Sequence, residues 1–151
     1  MQPLLKPLFR IRFDLLPLQS VGGGPWGKRR VAPIAGGRFE GERLRGTVLP
    51  GGSDAYRIGG DGSLALDVRC VLETDDAAKI FMTYQGIFRA PPEVQARIRT
   101  GGPVRPDEVY LRATPVFETG ADAYLWLNQI VSLAVGELDS GATAYEVFEV
   151  L

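Results

Sequence analysis

The chain has 151 residues, 45% of them hydrophobic, a formal net charge of −1, no histidine and one cysteine, Cys70. This composition suits a single water-soluble domain, residues 1–151, and the near-neutral charge gives no reason to expect nucleic acid or an anionic membrane as a partner. With a single Cys, one chain cannot form a disulfide, and without His it has no Ser-His-Asp catalytic triad. A zinc site built from Cys and His ligands is excluded for the same reason.

The first half of the chain predicts β structure. Leu8 to Leu16 alternates apolar and polar residues, which is typical of a half-buried strand, and the Gly-rich segment from Pro17 to Lys28 is predicted to be a loop. From Arg29 to Tyr56 the chain is predicted to fold back on itself, with Gly36-Gly37 and Gly51-Gly52 as tight reversals around a short strand.

Two further strands are predicted in the middle of the chain, over Leu64 to Leu72 and Lys79 to Arg89. The second of these is apolar on both faces. A strand of this kind belongs in a barrel or sandwich whose outside is covered as well, by a helix or by a second subunit, and we therefore expect a homodimer.

The last third of the chain predicts one helix of about two turns, which opens at Pro91-Pro92 and stops at Gly101-Gly102-Pro103. Strands follow over residues 107–118, 130–135 and 142–150, with one more helical turn over 121–127. About eight or nine strands with hairpin-length links indicate an all-β fold, a single antiparallel β-barrel with one or two short helices.

Charge is distributed unevenly along the chain. Residues 1–57 carry ten Lys or Arg and four Asp or Glu, whereas residues 58–151 carry seven and fourteen. In a barrel whose first strands pair with its last, this asymmetry predicts ion pairs across strands. The alternative is a basic surface patch that uses Lys28, Arg29 and Arg30.

Three long motifs resemble one known family. They read R-R-x-x-P-I-x-G-G-x-F-x-G-x-x-L-x-G-x-V-L-P-G-G-x-D (Arg29 to Asp54), D-x-R-x-x-L-x-T-D-D (Asp67 to Asp76) and Y-x-R-x-x-P-x-F-E-T-G-x-x-x-Y-x-W-L-N (Tyr110 to Asn128). Together they are similar to uncharacterised protein family 0311, whose domain of unknown function is numbered 3237. The resemblance implies a compact antiparallel β-barrel, similar in shape to lipocalins and to allene oxide cyclase, with no settled activity.

Two positions depart from the pattern of that family. Where relatives are expected to carry a Trp directly after Asp54, this chain has Ala55 and then Tyr56. Where they are expected to have a basic V-G-x-G-R-like ending, it reads Val135-Gly136-Glu137. An anion held at that ending in relatives would lack its cation here.

Candidate catalytic residues are charged side chains on predicted strands: Asp67, Arg69, Arg112 and Glu118. If they point into the barrel, Asp67 or Glu118 can act as a general acid or base, and the two arginines can stabilise developing negative charge. The alternative is that Asp67 with Arg69, and Arg112 with Glu118, form solvent-facing ion pairs of about 0–1 kcal/mol each.

Candidate ligand-binding residues are the polar and aromatic side chains predicted to lie near these charges. They are Asp54, Tyr84, Tyr110, Trp126 and Asn128. The alternatives are a core position for Trp126 and a loop cap for Asn128. The available carboxylates show no spacing that favours Mg²⁺ or Ca²⁺, and no Gly-rich phosphate or dinucleotide motif is present, so neither a metal nor a cofactor is predicted.

The sequence therefore predicts a β-barrel that binds a small molecule and works as a cofactor-independent isomerase, cyclase or lyase with an interior carboxylate as acid or base. The alternatives are a non-catalytic carrier or sensor of a hydrophobic or acidic metabolite, and a structural module without a ligand. The first residues lack the apolar core and cleavage site of a signal peptide, and no run approaches about 18 apolar residues. A cytoplasmic location away from the membrane is predicted.

Overall fold

The computed structural model describes all residues, 1–151, and consists mainly of antiparallel strands. The strands are β1 Leu5–Leu15, β2 Gln19–Gly24, β3 Gly27–Glu40, β4 Arg45–Val48, β5 Ser53–Asp54, β6 Arg57–Ile58, β7 Leu64–Thr74, β8 Lys79–Arg89, β9 Tyr110–Glu118, β10 Ser132–Asp139 and β11 Ala142–Val150. Helix α1 spans Pro92–Arg99, and 3₁₀ helices span Pro106–Glu108 and Asp122–Gln129. No helix has the length and apolar character that crossing a membrane requires.

The sheet closes on itself into a barrel. The strands follow the order β1, β11, β10, β9, β8, β7, β4, β3, and β3 pairs again with β1. The short strands β5 and β6 lie between β3 and β7, where β4 ends. The prediction of a closed antiparallel barrel with about eight strands in its wall and a few short helices is confirmed.

Two details of the first half differ from the prediction. Residues 19–24, predicted as loop, form β2, which pairs with the start of β3 through a turn at Pro25-Trp26 that Gly27, with a φ of 97°, completes. Gly36-Gly37 is not a reversal but lies within β3, at the irregularity in its pairing with β1. A Cβ on Gly37, whose φ is 149°, would lie 2.2 Å from the carbonyl oxygen of Arg12, so glycine is required there for close strand approach.

Apolar side chains from alternate strand positions fill the barrel. At one end, Phe9 packs against Phe39 and Phe117, with ring centroids 5.5 and 5.8 Å apart, and Leu127 of the second 3₁₀ helix is buried nearby. The interior is thus a packed core of side chains, as in other small barrels, and the wall around it positions the polar groups.

Helix α1 begins at Pro92, where the missing N–H of proline costs no hydrogen bond, and buries Val94. Arg97 in its last turn donates two hydrogen bonds, of 2.9 and 3.1 Å, to the carboxylate of Glu108. The guanidinium of Arg97 lowers the pKa of Glu108 to about 2, so this pair fixes α1 to the segment that leads into β9.

Candidate functional site

Asp67 and Arg69 of β7 lie on the outer face of the barrel wall. Successive residues of a strand point to opposite faces, and Leu66, Val68 and Cys70 of the same strand are buried in the core. Their apolar side chains take the interior positions and leave the outside to the charged ones. Asp67 and Arg69 therefore do not meet the condition set for an interior acid or base, that they point into the barrel.

Arg112 and Glu118 of β9 are also outside and exposed, because Leu111, Ala113 and Phe117 take the interior positions. An acid or base inside the barrel cannot come from Glu118 in this fold. The alternative of an ion pair between Arg112 and Glu118 is wrong too, since neither side chain has a salt-bridge partner in the structure.

A concave surface of about 770 Å³, which we call the outer groove, crosses the outside of the wall from β3, over the strands between, to the start of β1. Its polar side chains are Arg29, Arg57, Asp67, Gln85, Tyr110, Arg112 and Thr114. Its apolar side chains include Leu5, Ala65, Ile87, Leu133, Val135 and Phe148. The groove thus brings together three of the predicted site residues, Asp67, Tyr110 and Arg112, whereas Arg69 and Glu118 lie outside its lining.

Strand register explains which residues meet in the outer groove. Asp67 is paired with Gln85 on β8, and Gln85 is paired with Thr114 on β9, so the three form one row across the wall. Gln85 and Thr114 were missed by the sequence analysis. The turn between β7 and β8, which pairs Glu73 with Lys79, fixes this register. Counting along both strands from that pair identifies Gln85 as the partner of Asp67.

Positive charge dominates the outer groove. Arg29, Arg57 and Arg112 line it without any salt-bridge partner, and Asp67 is the carboxylate that lines it. The guanidinium of Arg29 donates a hydrogen bond to the carbonyl oxygen of Ala55, which fixes its position against β5. Three guanidiniums around one carboxylate favour a ligand that carries negative charge.

Tyr110 is held at the edge of the groove between two arginines. The guanidinium carbon of Arg112 lies 4.8 Å from the centre of its ring, and that of Arg89 lies 4.5 Å away. Arg112 also donates a hydrogen bond of 2.8 Å to the carbonyl oxygen of Leu111. These contacts hold Arg112 in place while leaving most of its five N–H donors free.

Asp54, a predicted ligand-binding residue, carries a strongly perturbed carboxyl. It is paired with Ala32 and Val68, both buried, so it lies on the inner face of the wall. Its Oδ1 accepts a hydrogen bond of 3.2 Å from the backbone N–H of Asp67. Burial raises the pKa of Asp54 to about 6, and the negative charge of Asp67 adds to the rise. The carboxyl therefore changes charge near neutral pH.

Tyr84 points into the core, where it meets Tyr145 and Phe13. Its ring centre lies 5.3 Å from that of Tyr145 and 6.3 Å from that of Phe13. Burial raises the pKa of both phenols, so both stay protonated at physiological pH. Tyr145 was not among the predicted site residues, although its place in the alternation of β11 could have indicated it.

Trp126 and Asn128 lie on the second 3₁₀ helix and do not line the outer groove. Arg43 places its guanidinium carbon 3.4 Å from the ring centre of Trp126. Asn128 accepts a hydrogen bond of 2.8 Å from the N–H of Thr119 and donates one of 2.9 Å to its carbonyl oxygen. Asn128 thus closes the connection after β9, as the loop-cap alternative predicted.

The chemistry available in the outer groove is that of guanidiniums, a carboxylate, an amide and a phenol. No three His, Cys, Asp or Glu side chains come close enough to hold a metal ion. Cys70 is buried in the core, and burial raises the pKa of its thiol to about 12. The groove can therefore bind anions and move protons with the groups that line it.

Comparison with known proteins places the chain in a family. Residues 3–150 match the model described as "Protein of unknown function (DUF3237)". The UPF0311 protein RPA1785 of Rhodopseudomonas palustris is 34% identical over 146 residues, which are 97% of this chain and 95% of the relative. Its crystal structure superposes with a TM-score of 0.94 at 32% identity and covers 100% of this chain and 99% of that one.

Two other solved structures have the same barrel. A β-barrel-like protein of Acinetobacter baumannii matches with a TM-score of 0.87 at 33% identity, covering 100% of this chain and 98% of that one. A protein of Penicillium herquei, described as an enzyme, matches at 0.76 with 20% identity, covering 100% and 96%, a likeness that shows the fold alone. The resemblance found in the three motifs is thus confirmed, and the chain belongs to the DUF3237 family, also named UPF0311.

Proposed function

We propose that the protein binds a small organic anion in the outer groove and converts it without a cofactor, as an isomerase, cyclase or lyase. One observation supports the proposal. Three guanidiniums without a salt-bridge partner and one carboxylate line a groove of about 770 Å³ whose remaining lining is largely apolar. Sites for small molecules commonly have volumes of about 300–1,000 Å³ and few polar groups on apolar walls. The packed interior favours this groove over the inside of the barrel as the ligand site.

The groups of the groove divide into two roles. Arg29, Arg57 and Arg112 would hold a carboxylate or phosphate of the ligand and stabilise negative charge that develops during the reaction. Asp67 would accept and return a proton, which is all that isomerisation, cyclisation or elimination of water requires of a side chain. Asp54 lies directly behind Asp67, through the hydrogen bond from the Asp67 backbone N–H.

The barrel fold is compatible with catalysis but does not imply it. The Penicillium herquei protein, described as an enzyme, has the same barrel, but at 20% identity it lends no residue or reaction to this chain. A carrier or sensor of an acidic metabolite is the second candidate, because the excess of guanidiniums over carboxylates in the groove serves binding as well as catalysis. A homodimer remains part of the proposal, since Phe81 and Ile87 expose apolar surface on the outer face of β8.

Binding is tested with 8-anilinonaphthalene-1-sulfonate, a fluorescent apolar anion, titrated into the wild-type protein. Arg112→Ala should weaken binding by about tenfold or more, because a hydrogen bond to a charged group contributes about 1.5–3 kcal/mol. Arg38→Ala, at an exposed arginine outside the groove, is the matched control and should bind like the wild type. Equal affinities for all three proteins would reject the groove as an anion site.

Catalysis is tested separately with Asp67→Asn. A panel of aromatic and aliphatic acids is incubated with the protein and followed by NMR, which detects products of unchanged mass. Asp67→Asn should keep the affinity for the fluorescent anion within about threefold while abolishing turnover of any substrate found, since the amide cannot take up the proton. Full turnover by Asp67→Asn would remove Asp67 from the mechanism, and binding without turnover of any acid would favour the carrier.

A further inference from the structure

The outer groove continues into an exposed apolar surface, which we call the apolar face. It consists of the outward side chains of three neighbouring strands: Phe81 and Ile87 of β8, Val116 of β9, Val131, which precedes β10, and Leu133 and Val135 of β10. Val116 is 63% exposed and Val131 is 70% exposed, although both carry β-branched apolar side chains. Monomeric proteins rarely leave contiguous apolar surface of this kind open to water.

Two charges without partners frame the apolar face on β9. Arg112 and Glu118 point outward from the same strand, six residues and so about 20 Å apart. Pro115 lies midway between them. Neither charge has a salt-bridge partner within the chain.

We infer that a second copy of this chain packs its own apolar face on this one, about a two-fold axis near Pro115, and thereby closes the outer groove. An axis that runs in the interface and across the strands places β9 antiparallel over the same strand of the partner. Arg112 then meets Glu118 of the partner subunit, and the reverse contact forms at the other end. The inference rests on the proposed function only for the ligand that the closed groove would hold.

Outward apolar residues on the two neighbouring strands are spaced symmetrically about the same axis. Tyr84 is paired with Pro115, so the axis crosses β8 there, and Phe81 meets the partner's Ile87 three residues to either side. Ser132 donates a hydrogen bond of 2.6 Å to the carbonyl oxygen of Pro115, which puts it beside the axis on β10. Val131 then meets the partner's Leu133.

Self-complementarity is the argument for a second copy over an unrelated partner. A two-fold interface requires each contact to occur twice, with charge meeting opposite charge and apolar side chain meeting apolar side chain. One axis satisfies that requirement for Phe81 with Ile87 on β8, for Arg112 with Glu118 on β9, and for Val131 with Leu133 beside and on β10. An unrelated protein would place no such demand on the spacing of Arg112 and Glu118 around Pro115.

Closing the groove does not remove its cations. Arg112 has five N–H donors, of which one is used by the carbonyl oxygen of Leu111, so it can contact both the partner's Glu118 and a ligand anion. Arg29 and Arg57 lie on β3 and β6, away from the axis, and the N–H donors that Arg29 does not use on Ala55 stay available to the ligand with those of Arg57. A second copy would turn an open groove into a site shielded from water, where charge interactions are stronger.

The mass of the wild-type protein in solution, measured by sedimentation velocity at about 10 µM, is expected to be twice the 16.4 kDa of one chain. Val116→Asp should shift the protein to monomer by weakening dimerisation at least a hundredfold. Val21→Asp, which replaces a valine that is 71% exposed but lies outside the apolar face, is the matched control and should remain dimeric. A wild-type monomer at 100 µM, or a Val116→Asp dimer, would overturn the inference.

Charge-reversal variants test the two-fold register. Arg112 and Glu118 are exposed, so substitutions there should leave the fold intact. Glu118→Arg and Arg112→Glu should each give monomer, and the double variant, which restores opposite charges across the interface, should be dimeric again. Double variants that stay monomeric would contradict the register.

Binding of 8-anilinonaphthalene-1-sulfonate separates this inference from the proposed function. The Val116→Asp monomer should bind the anion at least tenfold more weakly than the dimer, and unchanged affinity would reject closure of the groove by the partner. A wild-type dimer that binds no anion would instead reject the proposed function and leave the interface standing.

Discussion

On the wall formed by β1 and β11, the outward arginines have carboxylate partners, whereas those on β7, β8 and β9 have none. Arg10 pairs with both Glu137 and Glu146, and Arg12 pairs with Asp139. On the opposite wall, Arg69, Arg89 and Arg112 form no salt bridge.

The difference shows what each wall is suited for. Charges that satisfy one another at a solvated surface need no further partner, whereas unpaired guanidiniums beside apolar side chains remain available for a ligand or for another subunit. The uneven distribution of charge along the chain reflects the first case, since Arg10, Arg12 and Arg43 from the basic first part pair with acids from the last part. The expected cross-strand ion pairs are thus present.

The largest effect is expected where the two walls meet, at Gly136 of β10. A Cβ there would lie 2.4 Å from Cγ of Leu111 and 2.7 Å from Cε1 of Tyr145, both buried. Gly136→Ala should lower the free energy of unfolding by about 2–3 kcal/mol, because overpacking forces core side chains off their rotamers. Urea unfolding followed by circular dichroism measures the change.

The control for that substitution is Gly120→Ala, where an added Cβ would meet no atom within 4 Å. Its free energy of unfolding should stay within about 0.5 kcal/mol of the wild type. Equal losses in both variants would mean that the backbone conformation of glycine, and not the space beside Leu111, decides the outcome.

The next largest effect concerns Asp54, the carboxylate that the inner face of the wall keeps away from water. The pKa of Asp54 is raised to about 6 in the folded protein, above its ordinary value of 3.8. The folded state therefore binds more protons than the unfolded state between these two values, and stability falls as the pH rises through about 6. Asp54→Asn should increase the free energy of unfolding at pH 8 by about 1–3 kcal/mol and have little effect near pH 4.

The pH dependence of unfolding, recorded from pH 4 to 8, checks this prediction. The amide oxygen of Asn can still accept the hydrogen bond from the backbone N–H of Asp67, so the variant removes mainly the charge. Asp122→Asn, at an exposed carboxylate, should leave the stability curve unchanged. A loss of stability in Asp54→Asn at pH 8 would show instead that interactions in the folded protein stabilise the ionised carboxylate of Asp54.

Much of the fold was predictable from the sequence, because alternation with a period of two holds along β7, β8 and β9. The short helix α1 was also predictable, since Pro92 and Gly101 mark its ends. Alternation does not show which face of a strand points to the core. On β7, Asp67 and Val68 are equally regular in the pattern, and only packing decides that Val68 faces the core.

The candidate site was predictable in its residue types and not in its location. Asp67, Tyr110 and Arg112 do come together, but on the outer wall, because the interior volume of a small barrel is used up by its own apolar side chains. Arg29 and Arg57 reach the groove from β3 and β6. They do so because β6, rather than β4, lies between β3 and β7 at this point of the wall, held by two short pairings. Such a contact depends on the whole sheet and leaves no local signal.

The smallest effect is expected on the paired wall. Arg10 is 45% exposed and forms its two ion pairs in water, where two charges attract weakly and the side chains lose conformational freedom. Arg10→Ala should lower the free energy of unfolding by no more than about 1 kcal/mol, and the difference should vanish in 1 M NaCl, where charges are screened beyond about 3 Å. Arg38→Ala, which removes an exposed arginine without a carboxylate partner, should show no such dependence on salt. A salt-independent loss above 2 kcal/mol in Arg10→Ala would mean that its apolar stem, packed over β11, supplies the stabilisation instead of its charge, and the contrast between the two walls would then be one of packing.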